Sequence, residues 1–434
     1  MLSNYSSASK AQLEEEYSLC KEKYEELKSQ GLRLNMARGK PGGEQLELVS
    51  DMLNVLTPED FIGTSVEARN YGELFGLREA KELFADILGC KAEECLVGGS
   101  SSLNLMYDTV AKAFTHGLNH SSCPWHKLDK VKWLCPAPGY DRHFKVTESF
   151  GFKLITVPMT PTGPDMDTVE ELIKDPDVKG MWCVPKYSNP DGIVYSAETV
   201  HRIAAMKPAA PDFLLMWDNA YCVHEFEGEF LPFEDILTLC REAGNPDMVY
   251  EYASTSKMTF PGAGISVMAT SEDNLKVYQK LLTVEIISYD KVNQLRHVKY
   301  LRNKENTLAL MKKHAAILAP KFRCVLEHLD TEIAPTGIAD WQRPTGGYFV
   351  SVNTAPSLAK RTLALAKEAG VTMTGAGATY PYGIDPNDSN IRIAPSYPCV
   401  EELDKAMQIF CVSMKLAALE KLLNNAECGM RNAE

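Results

Sequence analysis

Apolar positions along the chain follow two different rhythms. Near the start, Leu13, Tyr17, Cys20, Tyr24 and Leu27 recur at spacings of three and four, which is the repeat of one helical face. Ser9 and Gln12 have capping-box spacing ahead of this run and Gly31 follows it, so the pattern predicts one amphipathic helix with a single face to bury. Its polar side is acid-rich, which favours packing on the protein's own core or on a sister chain over a membrane. From about residue 90 to 270 the rhythm changes to short continuous apolar runs at 95–97, 131–135, 154–157, 181–184, 213–217, 248–250 and 265–268. Continuous hydrophobicity marks strands buried on both faces, and the helical spacing between them makes the strands mostly parallel. The fold class read from this is α/β, a doubly wound mixed sheet, within a large domain expected over residues 51–310. The stretch from Asp290 to Lys321 predicts one long helix able to bridge two domains. The remainder, including the strand-like Gly346 to Val352 and Ile391 to Ile393, is assigned with the N-terminus to a smaller α+β domain over 1–50 and 311–434. The chain is expected to fray after about Asn424.

Composition narrows the function classes. At 434 residues, 45% hydrophobic and 24% charged, the chain is of ordinary globular type and long enough for two domains. A net charge of −13 repels polyanions, so neither nucleic acid nor an anionic membrane is expected as the main partner. Any anionic ligand must be met locally. The twelve cysteines show no C-x-x-C pair and no Cys/His ligand spacing, which argues against a metal site and against a disulfide framework. With no apolar run of about 18 residues and no signal-peptide pattern at the start, a soluble cytoplasmic protein is expected.

Ligands of an open parallel sheet sit outside the carboxyl ends of its strands, and the residues that follow the apolar runs here are unusually polar. After 95–97 comes Gly98-Gly-Ser-Ser-Ser102, small residues at a helix start that can cradle a phosphate or simply cap the helix. After 131–135 comes Pro136-Ala-Pro-Gly-Tyr140, which can project an aromatic over a planar ring or pack it. Asn189, in Ser188-Asn-Pro-Asp-Gly192, reads either as a turn residue or as a donor to a ring oxygen. Asp218 ends a buried strand, where a carboxylate needs a cation such as a protonated pyridine nitrogen, or else caps the next segment. Lys257 closes Ser254-Thr-Ser-Lys257 just before a Gly/Pro-rich stretch. A lysine held there, short of water, loses solvation and falls toward the nucleophilic range that a Schiff-base lysine requires.

Taken in order, these pieces resemble the pyridoxal-phosphate enzymes of fold type I, specifically the class I aspartate aminotransferase family. The motifs run Arg38-Gly-Lys-Pro41, Tyr71-Gly72, the glycine/serine loop, the turn aromatic, Asn-Pro-x-Gly, Asp-x-Ala-Tyr, Ser-x-x-Lys and Arg392-Ile-Ala-Pro-Ser-Tyr397. They cover nearly the whole chain, and a set in register carries far more weight than any one motif. Asp290-Lys-Val-Asn-Gln-Leu-Arg-His297 and Ala-Arg-Gly-Lys-Pro bring it nearest to the bacterial subgroup Ic. The resemblance implies a transaminase acting on amino and 2-oxo acids, with Lys257 bonded to the cofactor and moving the substrate proton. It implies Asp218 on the pyridine nitrogen, Tyr221 and Asn189 on the ring oxygen, and Tyr140 stacked on the ring. Gly99, Ser100, Ser101 and Ser254 would hold the phosphate, Arg392 the substrate α-carboxylate, and Gly39 would line the substrate side. Tyr71 would reach into a second subunit, which implies a homodimer.

The family's usual phosphate-binding arginine, eight residues beyond the lysine, falls on Ile265, or on Ser266 with the alignment moved by one. A second substrate carboxylate needs a second cation, and Arg38, Lys40, Lys291 and Arg296 are candidates. Aspartate with 2-oxoglutarate, by a ping-pong mechanism, is the expected exchange. The alternatives are an aminotransferase for alanine or aromatic amino acids, a β-lyase, and a ligand-sensing domain derived from an aminotransferase. The acidic charge and the short segment before Arg38 oppose the last.

Overall fold

The computed structural model describes all residues except 1, 3, 63–65 and 432–434. The first predicted helix is present as Lys10–Ser29, with Ser9 and Gln12 exchanging hydrogen bonds in the anticipated capping box. Its buried face, Leu13, Cys20, Tyr24 and Leu27, packs on the C-terminal helix Val400–Arg431. That helix runs past Asn424, beyond the point at which the sequence predicts fraying.

Thirteen strands form among the described residues. β1 (Leu34–Asn35) pairs only with β12 (Val371–Thr372). The large sheet contains β2 (Cys95–Val97), β3 (Lys132–Ala137), β4 (Lys153–Thr160), β5 (Gly163–Pro164), β6 (Val178–Cys183), β7 (Leu214–Asp218), β8 (Val249–Ser254) and β9 (Ser266–Thr270). Their order is β2-β9-β8-β7-β6-β3-β4-β5. The stretch from β8 through β4 is parallel, while β9 and β5 run antiparallel to their neighbours. A small antiparallel sheet is made by β10 (Ala339–Trp341), β11 (Val350–Thr354) and β13 (Asn390–Ile393).

The unbroken apolar runs have the physical cause read from the sequence. Along β7, Leu215 and Trp217 point into one buried cluster and Leu214 and Met216 into another, on opposite faces of the sheet. Trp133, Trp217, Tyr250 and Tyr252 are wholly enclosed, each contributing on the order of 4 kcal/mol of apolar burial relative to an extended chain.

The single long helix predicted over 290–321 is two helices, Lys291–Leu301 and Lys304–His328. The break falls at Arg302, whose φ of 65° is left-handed, and Asn303 then caps the second helix by accepting from the Asn306 amide. Pro320 lies inside the second helix without ending it. Among the described residues no helix is long and apolar enough to cross a membrane, and eleven cysteines are free thiols.

Candidate active site

The carboxyl ends of β3, β6, β7 and β8 and the start of the helix after β2 converge, opposite β13, on a cavity of about 560 Å³. Ser101, Tyr140, Asn189, Asp218, Tyr221, Ser254, Lys257, Gly39 and Arg392 all line it. Residues scattered over more than 350 positions are thus brought together by the large sheet, the facing small sheet and the loop that carries Gly39.

Asp218, the last residue of β7, is 3% exposed. Its Oδ2 meets His143 Nε2 at 2.9 Å, whereas Oδ1 is buried without a partner. A buried carboxylate oxygen left open is expensive unless a ligand donates to it. His143 is held by stacking on Trp182, with centroids 4.5 Å apart and planes 13° from parallel. Tyr140 meets the same imidazole edge-on at 4.8 Å. Burial, followed by the Asp218 charge, pushes the Tyr140 phenol up to about 12.

Lys257 follows β8 in a turn tied down by its neighbours. The Thr255 amide donates to Ile265 O at 2.9 Å, and the hydroxyls of Thr255 and Thr259 lie 3.1 and 3.0 Å from His297 Nε2. Burial lowers His297 to about 4, so the ring is neutral. Nδ1 donates to Asn293 O at 2.8 Å, and Nε2 accepts from the hydroxyls. The side chain of Asn293 donates to Ala263 O and Gly264 O. This backing directs Lys257 Nζ over the rings of Tyr221 and Tyr348, at 4.9 and 5.7 Å. Burial holds the Lys257 amine below the ordinary lysine value, with Asp218 offsetting part of the effect. Tyr221 is raised well above the usual phenol range, again chiefly by burial.

One wall is made of hydroxyls. Ser101 caps the helix Ser102–Thr115 by accepting from Leu103 N at 3.2 Å. Ser102, Ser254 and Ser256 complete the wall, with Ser254 Oγ donating to Ser256 Oγ at 3.0 Å. Gly99 and Ser100 stand behind it, one step further back than expected. The carbonyl of Gly99 accepts from Ser266 Oγ and that of Ser100 from Ser256 Oγ. Ile265, at the position of the missing arginine, is 1% exposed and contributes packing.

The opposite end is cationic. Arg392, on β13, lies over the Phe349 ring at 4.8 Å. Its Nη1 donates to Asp141 Oδ1 at 2.9 Å and to Asn189 Oδ1 at 3.1 Å, and Nη2 to Thr374 Oγ1 at 3.3 Å. Arg392 Nε is buried without a partner. With its oxygen taken, Asn189 has its amide hydrogens left to give. Gly39 is required by space, since a Cβ there would stand 2.5 Å from Phe349 Cζ. Arg38 and Lys40 line this end as well.

Two of the four cations put forward for a second carboxylate are not in the cavity. Lys291 is buried with Nζ donating to Asn70 O at 2.5 Å and Gly72 O at 2.9 Å, while Arg296 is bonded to Asn293 Oδ1. Lys291 thus pins the backbone on either side of Tyr71, whose side chain is 78% exposed and outside the cavity of its own chain. The sequence reading missed His143, His297, Ser256 and Thr374. His143 could have been found as the residue three beyond Tyr140, on the same face of a predicted helix start.

Comparison with known proteins gives one answer. The family model described as aspartate amino-transferase matches residues 8–426. The chain is 48% identical over 405 residues to an aspartate aminotransferase of Corynebacterium glutamicum, covering 93% of this chain and 94% of that one. The crystal structure of an aspartate transaminase from Corynebacterium glutamicum superposes with a TM-score of 0.93 at 47% identity, over 95% of this chain and 97% of the other. An alpha-aminoadipate aminotransferase from Thermus thermophilus, solved with N-(5'-phosphopyridoxyl)-L-leucine, shares the fold at 21% identity and a TM-score of 0.73, over 90% and 93% of the two chains. The chain belongs to the aspartate aminotransferase family and is a transaminase dependent on pyridoxal phosphate. Its residues fit that cofactor on their own chemistry. Asp218 Oδ1 is an acceptor awaiting a donor, the serine wall at a helix N-terminus suits a phosphate, and Lys257 is a buried amine.

Proposed function

We propose that this enzyme exchanges the amino group of L-aspartate with 2-oxoglutarate by a ping-pong mechanism. The observation that carries the reading is the meeting, in one cavity, of an amine held below the ordinary lysine value by burial, a buried carboxylate oxygen with no partner and an arginine on the facing strand. Bound there, pyridoxal phosphate supplies an electron sink that lets the Cα–H bond of an amino acid ionise.

Lys257 would hold the cofactor covalently and, once freed by the incoming amine, take the Cα proton on Nζ. Asp218 would hold the pyridine nitrogen in its protonated form, and the His143 contact keeps its carboxylate in place. Tyr221 and the Asn189 amide would donate to the ring oxygen, and Tyr140 would stack on the ring. Ser101 and Ser254, with Ser102 and Ser256 beside them, hold the phosphate in place of an arginine, and Gly99 and Ser100 shape the loop behind. Arg392 would take the substrate α-carboxylate and so orient the amino acid in the cavity.

We assign residues 51–310 to the large lobe and 1–50 with 311–434 to the small one. Tyr71, exposed yet pinned by Lys291, is proposed to complete the site of a second subunit, which makes the working form a cytoplasmic homodimer. An amino-donor panel with mass spectrometry of the keto product tests the substrate. Aspartate should give oxaloacetate with glutamate appearing from 2-oxoglutarate. Equal or faster turnover of alanine or phenylalanine would remove aspartate as the donor.

A further inference from the structure

Five cationic side chains and two carboxylates line the cavity. Asp141 is engaged by Arg392 and Asp218 by His143. Lys40 Nζ lies 4.0 Å from the centre of the Tyr397 ring, and Lys257 is the buried amine of the reaction. Two guanidinium groups remain, Arg38 and Arg142. Both side chains are exposed at the cavity and, among the described residues, neither meets a carboxylate or makes a side-chain hydrogen bond. In a chain of net charge −13, two unneutralised arginines at one opening form a local field opposite in sign to that of the molecule.

Their place in the fold is also specific. Arg142 directly follows Asp141, the residue bonded to Arg392. Arg38 directly precedes Gly39, which packs against the Phe349 ring on which Arg392 lies. Both therefore flank the arginine assigned to the α-carboxylate, and neither comes from the segments that carry the serine wall. A guanidinium matches a carboxylate bidentately and stays charged when partly exposed.

We propose that Arg142 and Arg38 together receive the second carboxylate of the substrate, so that the site selects short dicarboxylic amino acids and their 2-oxo acids with residues of this same chain. The inference rests on the aminotransferase reading above and adds the groups that set its specificity. A substrate with a neutral side chain leaves both guanidinium groups in water and gains nothing from them, whereas a carboxylate gains charge-assisted bonds.

The test uses the holoenzyme and the variants Arg142→Gln, Arg38→Gln and the double variant, with Arg142→Lys as the conservative control. Two readouts are taken: the ratio of kcat/KM for aspartate to that for alanine, and calorimetric affinity for maleate against acetate, neither of which reacts. Each single Gln variant should lower the aspartate-to-alanine ratio about tenfold, and the double variant should lower it further. Maleate affinity should fall in parallel and Arg142→Lys should recover part of both. An unchanged ratio in the double variant overturns the proposal, as does an equal loss for aspartate and alanine, which would mean a structural role. A wild-type enzyme that favours alanine would instead remove the aspartate reading itself, before any variant is made.

Discussion

The two ends of β7 each carry a buried aspartate, and the two are treated differently. Asp212, two residues before the strand, is 5% exposed and complete: Lys179 Nζ donates to Oδ1 at 2.7 Å, and Ser121 Oγ and Trp125 Nε1 donate to Oδ2 at 2.9 and 2.8 Å. Asp218, at the other end, is 3% exposed and incomplete, with Oδ2 on His143 and Oδ1 on nothing. Both carboxylates are too deep to remain uncompensated. At the amino end the carboxylate cross-links the fold, and at the carboxyl end half of the carboxylate is left open on the cavity. Burial alone therefore does not mark a functional acid; unfilled bonding capacity at the ligand end of the strand does.

The sharpest break would come from the lysine that the incomplete end serves. Lys257→Ala should lower transamination by at least about 10³-fold, and borohydride should fix a pyridoxyl group on wild-type Lys257 that mass spectrometry fails to find in the variant. Next, the two aspartates should part company. Asp218→Asn should lower kcat by about 10²-fold or more, in proportion to the lost proton-holding role, with a modest change in melting temperature. Asp212→Ala leaves Lys179 buried without its partner, and should cost about 3–5 kcal/mol of stability in denaturant titration while the folded fraction stays active. If Asp218→Asn melts the protein and Asp212→Ala silences it, the comparison is reversed.

A third buried acid lies between these extremes. Glu251, opposite Trp217 on β8, accepts one bond from Asn219 Nδ2 at 2.9 Å and leaves Oε2 unpaired. Burial raises its carboxyl to about 8, so the folded protein holds a proton that the unfolded chain releases near the ordinary glutamate value of 4.5. Stability from this group is fully present below that lower value and is lost as pH rises toward 8. Glu251→Gln should flatten this dependence, stabilising the protein at pH 8 relative to wild type by an amount on the order of 3 kcal/mol and leaving it little changed at pH 4. The smallest effect is expected at the hydroxyl wall, where Ser256→Ala removes one bond among several. Cofactor release measured by fluorescence should tighten or loosen by no more than about tenfold, consistent with a neutral hydrogen bond of about 1 kcal/mol.

Much of this cavity could be read from the sequence because several of the side chains that line it follow an apolar run. Asp218 after 213–217, Lys257 after β8 and Asn189 after 181–184 are marked by an abrupt change from apolar to polar. His143 was not marked in this way. It lies on the buried face of the helix Asp141–Ser149, where its spacing fits a packing residue equally well, and only its contact with Asp218 shows otherwise. The break at Arg302 was missed because the stretch lacks glycine near that point, and a left-handed non-glycine residue leaves no compositional trace.

The places of the large sheet's main strands along the chain, the two buried faces of the sheet and the succession of polar residues at the strand ends were determined by the sequence itself, since apolar periodicity records which backbone must leave water. Which cations line the cavity was decided only by the tertiary structure. Lys291 and Arg296 stood as equal candidates with Arg38 and Lys40, yet one is spent on carbonyls beside Tyr71 and the other on Asn293, while Arg142, unmarked in the sequence, opens onto the cavity. A charged side chain carries the same charge wherever it points. Its direction depends on the packing of segments far apart in the chain, and no local pattern encodes that.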